Sequence, residues 1–299
     1  MARSAALTVI VVAAVVAIAF GAASVSGFSI LGGTETVESG SLRIAGSESM
    51  RPVIAACAED FMARSPQADV IVRGGGSGEG ISALLHGLVE IGMSSRALTD
   101  KERDYAAAKN IDLSVSPFAV DGIAVIVHPS NPLTELDLAR LKAVYSGSIR
   151  SWRDLAGTVD GEIVTIARAT GSGTAALFAE RVLGGAEAVA RQKLATNEAI
   201  VDEVAARPEA MGYAGFGAVH KANGRIKVVA VSADPRSAAV APAADTLRSG
   251  TYPLARTLYL IHAGPQSDIA EAFLAHCLGP DGRALVQRAG YVEAPPATP

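Results

Sequence analysis

From Leu42 to Ala289, short apolar runs alternate with segments of helical spacing, and this alternation restricts the chain to an α/β fold built mainly on parallel sheets. The runs Leu42–Ala45, Val70–Val72, Val89–Met93, Ile123–Val127, Ile163–Ile166, Val228–Val231 and Leu258–Ile261 read as strands. Helical spacing marks Met50–Arg64, Ile81–Leu88, Asp100–Lys109, Leu136–Tyr145, Thr174–Leu183, Asn197–Ala206, Ser267–Leu278 and Asp281–Ala289. Thr99 with Glu102 forms a capping box for the third of these. The 299 residues are enough for two lobes. Each is expected to be a mainly parallel sheet flanked by helices, with crossing strands near Asp121–Pro129 and Tyr252–His262. That divides the chain into a first lobe of residues 42–122 and 258–299 and a second of 123–257, with a cleft between them where a ligand would sit.

The N-terminus has a different character. Ser4 to Thr34 contains no charged residue, Ala5 to Ala23 is almost continuously apolar, and Arg3 precedes it. A positive head, an apolar stretch and small residues such as Ala22, Ala23 and Ser24 form the pattern of an export signal. The stretch also approaches the ~20 residues that span a bilayer, so residues 1–27 are expected to be a signal peptide or an uncleaved anchor. Either places the remainder outside the cytoplasm, joined through a Ser/Gly/Thr-rich linker at 28–41. No Cys closely follows the apolar stretch, so lipid attachment is not expected there. Cys57 and Cys277, the two cysteines, each lie on an apolar helical face and read equally as a disulfide or as buried thiols.

Hydrophobic residues at 49% and charged residues at 19% exclude a disordered chain. The formal net charge is −4 and no Lys/Arg run is present, which argues against a nucleic-acid partner.

Four strand ends carry small polar loops: Gly46-Ser47-Glu48-Ser49-Met50, Gly74-Gly75-Gly76-Ser77-Gly78, Gly92-Met93-Ser94-Ser95-Arg96, and Arg168-Ala169-Thr170-Gly171-Ser172-Gly173-Thr174. Three run directly into helical spacing. A helix N-terminus offers unpaired N–H donors and a partial positive charge, glycines allow close backbone approach, and hydroxyls add neutral donors. Arg168 can grip tetrahedral oxygens with two charge-assisted hydrogen bonds. One such loop is ordinarily a cap or a turn. Four in one chain point to an anion site.

These segments resemble the PstS-like phosphate-binding proteins of bacterial phosphate ABC importers, a type II periplasmic binding protein family, from about Leu42 to Val292. Ile44–Pro52 resembles the family's first phosphate loop, Gly75–Gly78 its second, and Arg168–Thr174 its Arg-x-x-Gly-Ser-Gly-Thr loop. Ser146–Trp152, Met211–Tyr213 and Tyr252–Tyr259 are further matches without ligand roles. The resemblance implies a two-lobed receptor that binds phosphate through Ser47, Ser49, Ser77, Arg168, Ser172, Gly173 and Thr174. It also implies a membrane permease as partner, a monomeric state and no cofactor.

The third loop departs from the family pattern. Well-known members carry an acid where this chain has Ser95 followed by Arg96. Such an acid accepts a hydrogen bond from protonated phosphate and repels sulfate. Asp121, beside Gly122 at the first crossing, is the candidate replacement; Arg96 is expected at the anion or paired with Asp121, and Glu48 and Glu79 lie within the loops. Sulfate or molybdate therefore stays open as ligand. An anchored sensor or adhesion protein without transport and a phosphate-ester hydrolase are the remaining alternatives, although for the hydrolase the five histidines are scattered and no G-x-S-x-G elbow or GK[ST] phosphate loop is present.

Overall fold

The apolar runs ending in Gly, Ser or Arg become strands in the computed structural model, which describes residues 40–157 and 160–294. The expected export segment and residues 28–39 of the expected linker lie outside the described residues. Gly40 and Ser41 are not linker. They open β1 (Gly40–Gly46) by pairing in parallel with Ala68 and Asp69 of β2 (Ala68–Gly75), after the intervening α1 (Arg51–Arg64).

The first lobe continues with α2 (Ser77–Leu85), β3 (Ile91–Ser94) and α3 (Asp100–Ala108), the last held by the predicted Thr99/Glu102 capping box. β4 (Leu113–Val127) then leaves this lobe for the second, which begins with β5 (Glu135–Asp137), α4 (Leu138–Tyr145) and α5 (Trp152–Ala156). It continues with β6 (Val164–Arg168), α6 (Gly173–Leu183), β7 (Gln192–Leu194), α7 (Asn197–Ala206) and β8 (Ala210–Gly215). α8 (Phe216–Lys221), β9 (Lys227–Ser232) and α9 (Ala244–Arg248) close it. The chain returns through β10 (Ala255–Ala263) to α10 (Asp268–Leu278), α11 (Pro280–Arg288) and β11 (Val292–Glu293).

The strands form one curled sheet in the order β2-β1-β3-β10-β4-β8-β6-β7. β1, β2 and β3 run parallel in the first lobe, and β6, β7 and β8 in the second. The crossing strands make each sheet mixed, because β10 is antiparallel to β3 and β4, and β4 is antiparallel to β8 and β9. β4 exchanges partners within a single step: Gly122 lies opposite Ala255 of β10, and Ile123 opposite Gly215 of β8. The two-lobed α/β architecture expected from the strand–helix alternation is the one observed.

Each lobe has its own core. In the first, Ile44, Ile54, Phe61, Met93, Leu258 and Phe273 pack between the sheet and α1, α10 and α11. In the second, Tyr145, Phe178 and Tyr213 form an aromatic cluster, with Phe178 stacked on Tyr213 at 3.9 Å. The Tyr145 hydroxyl is shared between the Ile166 and Met211 carbonyls at 3.2 and 3.1 Å, so its polar atom stays satisfied within that core. A fully buried side chain of this size contributes about 2–3 kcal/mol. Each lobe therefore carries the loops at its sheet edge on a separately packed core.

Candidate anion-binding site

The four predicted loops converge where the lobes face each other. Gly46 ends β1 with φ of 140°, in the region that favours glycine, and the chain turns so that Ser47 N–H donates to the Met93 carbonyl at 2.9 Å. Ser47 and Ser49 are buried, at 2% and 3% exposure, just before the first turn of α1. Gly76 (φ 114°) donates its N–H to the Gly46 carbonyl at 2.9 Å and starts α2 with Ser77 inward. Glu48 ties the first two loops together: its Oε1 accepts from Gly75 N–H and its Oε2 from Arg51 Nε, both at 2.9 Å. Its role is structural, and it does not reach solvent freely.

Ser95, after β3, donates its N–H to Ser77 Oγ at 3.0 Å, and the two hydroxyls lie 3.2 Å apart. Across from them Ser172 caps α6, its Oγ accepting from the N–H groups of Thr174 and Ala175 at 3.2 and 3.4 Å. Gly173 sits directly against the Ser77 and Ser95 hydroxyls. Gly78 N–H of one lobe donates to the Gly171 carbonyl of the other at 3.3 Å, and a Cβ on the neighbouring Gly76 would run into that same carbonyl.

A second knot lies one residue further along α6. Thr174 Oγ1 is 3.3 Å from Ser49 Oγ. Ser49 Oγ accepts from Asn197 Nδ2 at 3.0 Å and from Arg256 Nη2 at 2.9 Å, and Arg256 Nη1 donates to Thr174 Oγ1 at 2.8 Å. Arg256 also grips Asp121 Oδ2 through Nη2 at 2.6 Å and Nε at 3.0 Å, with both side chains 0–1% exposed. Asp121 Oδ1 is buried and has no hydrogen-bond partner among the described residues.

Arg168, 2% exposed, is held from the second lobe: Nε donates to the Leu194 carbonyl at 3.4 Å, Nη2 to the Ala195 carbonyl at 2.6 Å, and Nη1 to Asn197 Oδ1. Among the described residues it has no carboxylate partner. Burial, followed by the like charge of Arg256, pushes its guanidinium down to about 10, so it remains charged at neutral pH. The buried charges are therefore two arginines against one aspartate. Net positive charge in a dry cage, with the starts of α1, α2 and α6 beside it, is a seat for an anion.

Of the sequence-predicted residues, the structure gathers Ser49, Asp121 and Thr174 in one knot and Ser77, Ser95 and Gly173 in the other. Ser172 caps the helix between them, Ser47 lies in the first loop, and Arg168 joins through Asn197. Arg96 is a correction. It pairs with neither the cage nor Asp121, because Glu102 at the start of α3 holds both its Nη atoms at 2.7–2.8 Å and the Ala97 carbonyl takes Nη1. The partner of Asp121 is Arg256, which lies within the Tyr252–Tyr259 motif to which the family resemblance gives no ligand role. Asn197 was not singled out at all. Arg256 lies on the returning strand, directly across from Asp121 in the β4–β10 ladder.

A cleft of about 760 Å³ runs between the lips Arg96–Arg103 and Leu247–Gly250 and reaches Arg256 at the cage wall. Its arginines are matched by acids, Arg96 by Glu102, Arg103 by Asp100 and Arg248 by Asp245, so unmatched positive charge is confined to the cage. Among the described residues no cluster of His, Cys, Asp or Glu is arranged to hold a metal ion.

Gly173 gives a direct test of this packing. A Cβ there would run into the Ser77 and Ser95 hydroxyls. Gly173→Ala leaves a helix start that alanine tolerates, yet it blocks close approach of the lobes. Anion affinity is expected to fall at least about tenfold, a loss of about 1.4 kcal/mol, with the melting temperature of the free protein unchanged. Calorimetry and thermal melts on the same sample check both parts.

The sequence family described as a PBP superfamily domain matches residues 33–280. The phosphate-binding protein PstS of Bacillus subtilis (strain 168) is 33% identical over 259 residues, covering 86% of this chain and 82% of that protein. A substrate-binding protein from Clostridium perfringens, solved with bound phosphate, superposes with a TM-score of 0.76 at 28% identity over 86% of this chain and all of that one. An ABC-type phosphate transport receptor from Vibrio cholerae gives 0.68 at 28% identity over 85% of this chain. With the loops, the crossing strands and the cage on the same elements of a two-lobed fold, the chain belongs to the PstS-like phosphate-binding proteins of the PBP superfamily.

Proposed function

We propose that this chain captures inorganic phosphate between its lobes on the extracytoplasmic side of a membrane and delivers it to the permease of an ABC importer. The residues proposed to hold the anion are Ser47, Ser49, Ser77, Ser95, Asp121, Arg168, Ser172, Gly173 and Thr174, joined by Arg256 and Asn197. Residues 42–122 with 258–299 act as one jaw and 123–257 as the other, and the chain works as a monomer after export by its N-terminal segment. A family relative solved with bound phosphate supports this reading.

The observation that carries it is the pairing of excess buried positive charge with one unpartnered acceptor, Asp121 Oδ1. An oxyanion satisfies the arginines and the N–H groups. Only an oxyanion that still carries a proton can also donate to Asp121. Phosphate does so at neutral pH and sulfate does not, so a sulfate would bring its charge against an unpaired carboxylate. Asp121 thus supplies from the crossing strand the acid that the third loop lacks. Capture without turnover fits the same geometry: the hydroxyls of Ser49, Ser77 and Thr174 bond to Arg256, Asn197 and other hydroxyls, and among the described residues none of the three is hydrogen-bonded to a carboxylate or a histidine.

Asp121→Asn keeps an oxygen for Arg256 and removes the negative charge. Phosphate affinity is expected to fall roughly 30-fold or more while sulfate binding appears. Calorimetric titration with both anions reads this. Unchanged phosphate affinity with sulfate still unbound would remove Asp121 from the discriminating role.

A further inference from the structure

The two cysteines come from opposite ends of the chain and meet in one core. α1 and α10 pack with Phe61 edge-on to Phe273, ring centroids 5.5 Å apart, and with His276 Nε2 3.1 Å from Asp60 Oδ2. Cys57 lies one helical turn before Phe61, and Cys277 one turn after Phe273. Helices that pair 61 with 273 in antiparallel register therefore bring 57 to 277. Both thiols are free, at 0% and 1% exposure, and lie in the same apolar cluster.

We propose that Cys57 and Cys277 are a redox modification site, which in an oxidising compartment becomes a disulfide stapling the returning C-terminal helix to the first helix of the first lobe. The proposal rests on the extracytoplasmic location but not on the ligand. Chemically, one cysteine thiolate attacks the disulfide of an external thiol–disulfide oxidant and releases one thiol. The other cysteine then attacks the mixed disulfide and releases the second. Two cysteine thiols are oxidised to one disulfide, and the oxidant's disulfide is reduced to two thiols. Burial, with the neighbouring Cys57, pushes the Cys277 thiol up, so little thiolate exists once the core is closed. Exchange therefore belongs to folding, as α10 docks on α1. No third cysteine is available to mispair. The loop closed in this way spans both crossings of the chain, the case in which a cross-link restricts the unfolded state most.

The test uses the full chain exported by a bacterial host and purified without reductant. It is denatured, treated with iodoacetamide and weighed intact. The expected result is a monomer with no alkylated cysteine and a mass about 2 Da below the dithiol form, with both cysteines alkylated after prior reduction. Reduction is also expected to lower the melting temperature by roughly 10 °C. Two alkylated cysteines without reductant, or a disulfide-linked dimer, would overturn the proposal. Phosphate titration of the same sample reads anion capture separately, so failure of one reading is distinguishable from failure of the other.

Discussion

Arg256→Met is expected to lower the melting temperature by roughly 10 °C and to abolish phosphate capture. The reason is the position of the pair. Arg256 and Asp121 lie opposite each other on the two strands that join the lobes, both essentially without solvent contact. Removing one member leaves a carboxylate buried with no counter-charge, at a cost of about 3–5 kcal/mol. Methionine keeps the length and the apolar stem, so lost volume is not the cause of the effect. The same substitution releases Ser49 and Thr174, which Arg256 holds at 2.9 and 2.8 Å, and so loosens hydroxyls contributed by both lobes. The double variant Asp121→Asn/Arg256→Met should recover much of the stability, since no buried charge is then left unpaired, and none of the binding. A melting temperature for the double variant as low as that of Arg256→Met alone would show that the stability loss is not electrostatic.

Arg168→Ala should act in the opposite sense: a large loss of binding with little penalty in the free protein. Its guanidinium is buried without a carboxylate and pushed down by burial and by Arg256, so its charged form is less favourable in the fold than in water at any pH below about 10. That cost is recovered when an anion sits beside it. Deleting the side chain removes a charge-assisted contact on one side of a dry pair, about 2–5 kcal/mol or roughly 30- to several-thousand-fold in affinity. It also frees Asn197, which Arg168 positions for its contact with Ser49. Calorimetry on the variant checks the first statement, and melts with and without phosphate check the second. Phosphate affinity equal to that of the parent chain would show that Arg168 is not part of the cage.

The anion loops were legible in the sequence because their chemistry is local. A glycine at a strand end, a hydroxyl at the next helix start and an arginine four residues before Ser172 are all neighbours along the chain. Arg256 and Asn197 were not, because what makes them part of the site is distant: the register of β10 on β4 for one, and the packing of α7 against Arg168 for the other. Arg96 shows the converse. Its expected partner was across the cleft, and Glu102, six residues on and already required by the Thr99 capping box, satisfies it first.

The fold behaves in the same way. Strands with continuous apolar runs were read directly, whereas Leu113–Val120 of β4 was missed. Its Ser114, Ser116 and Pro117 break the run, and the proline is accommodated where the ladder to β10 shifts register between Leu258 and Tyr259. β5 was absorbed into the helix that follows it, since three residues carry too little period to separate.

Paired titration of the unaltered protein with phosphate and with sulfate at neutral pH tests the central claim most directly. A cage with net positive charge and one unpartnered acceptor should take up one phosphate per chain and bind sulfate at least about 1,000-fold more weakly. Sulfate bound as tightly as phosphate, or no heat with either anion, would contradict it.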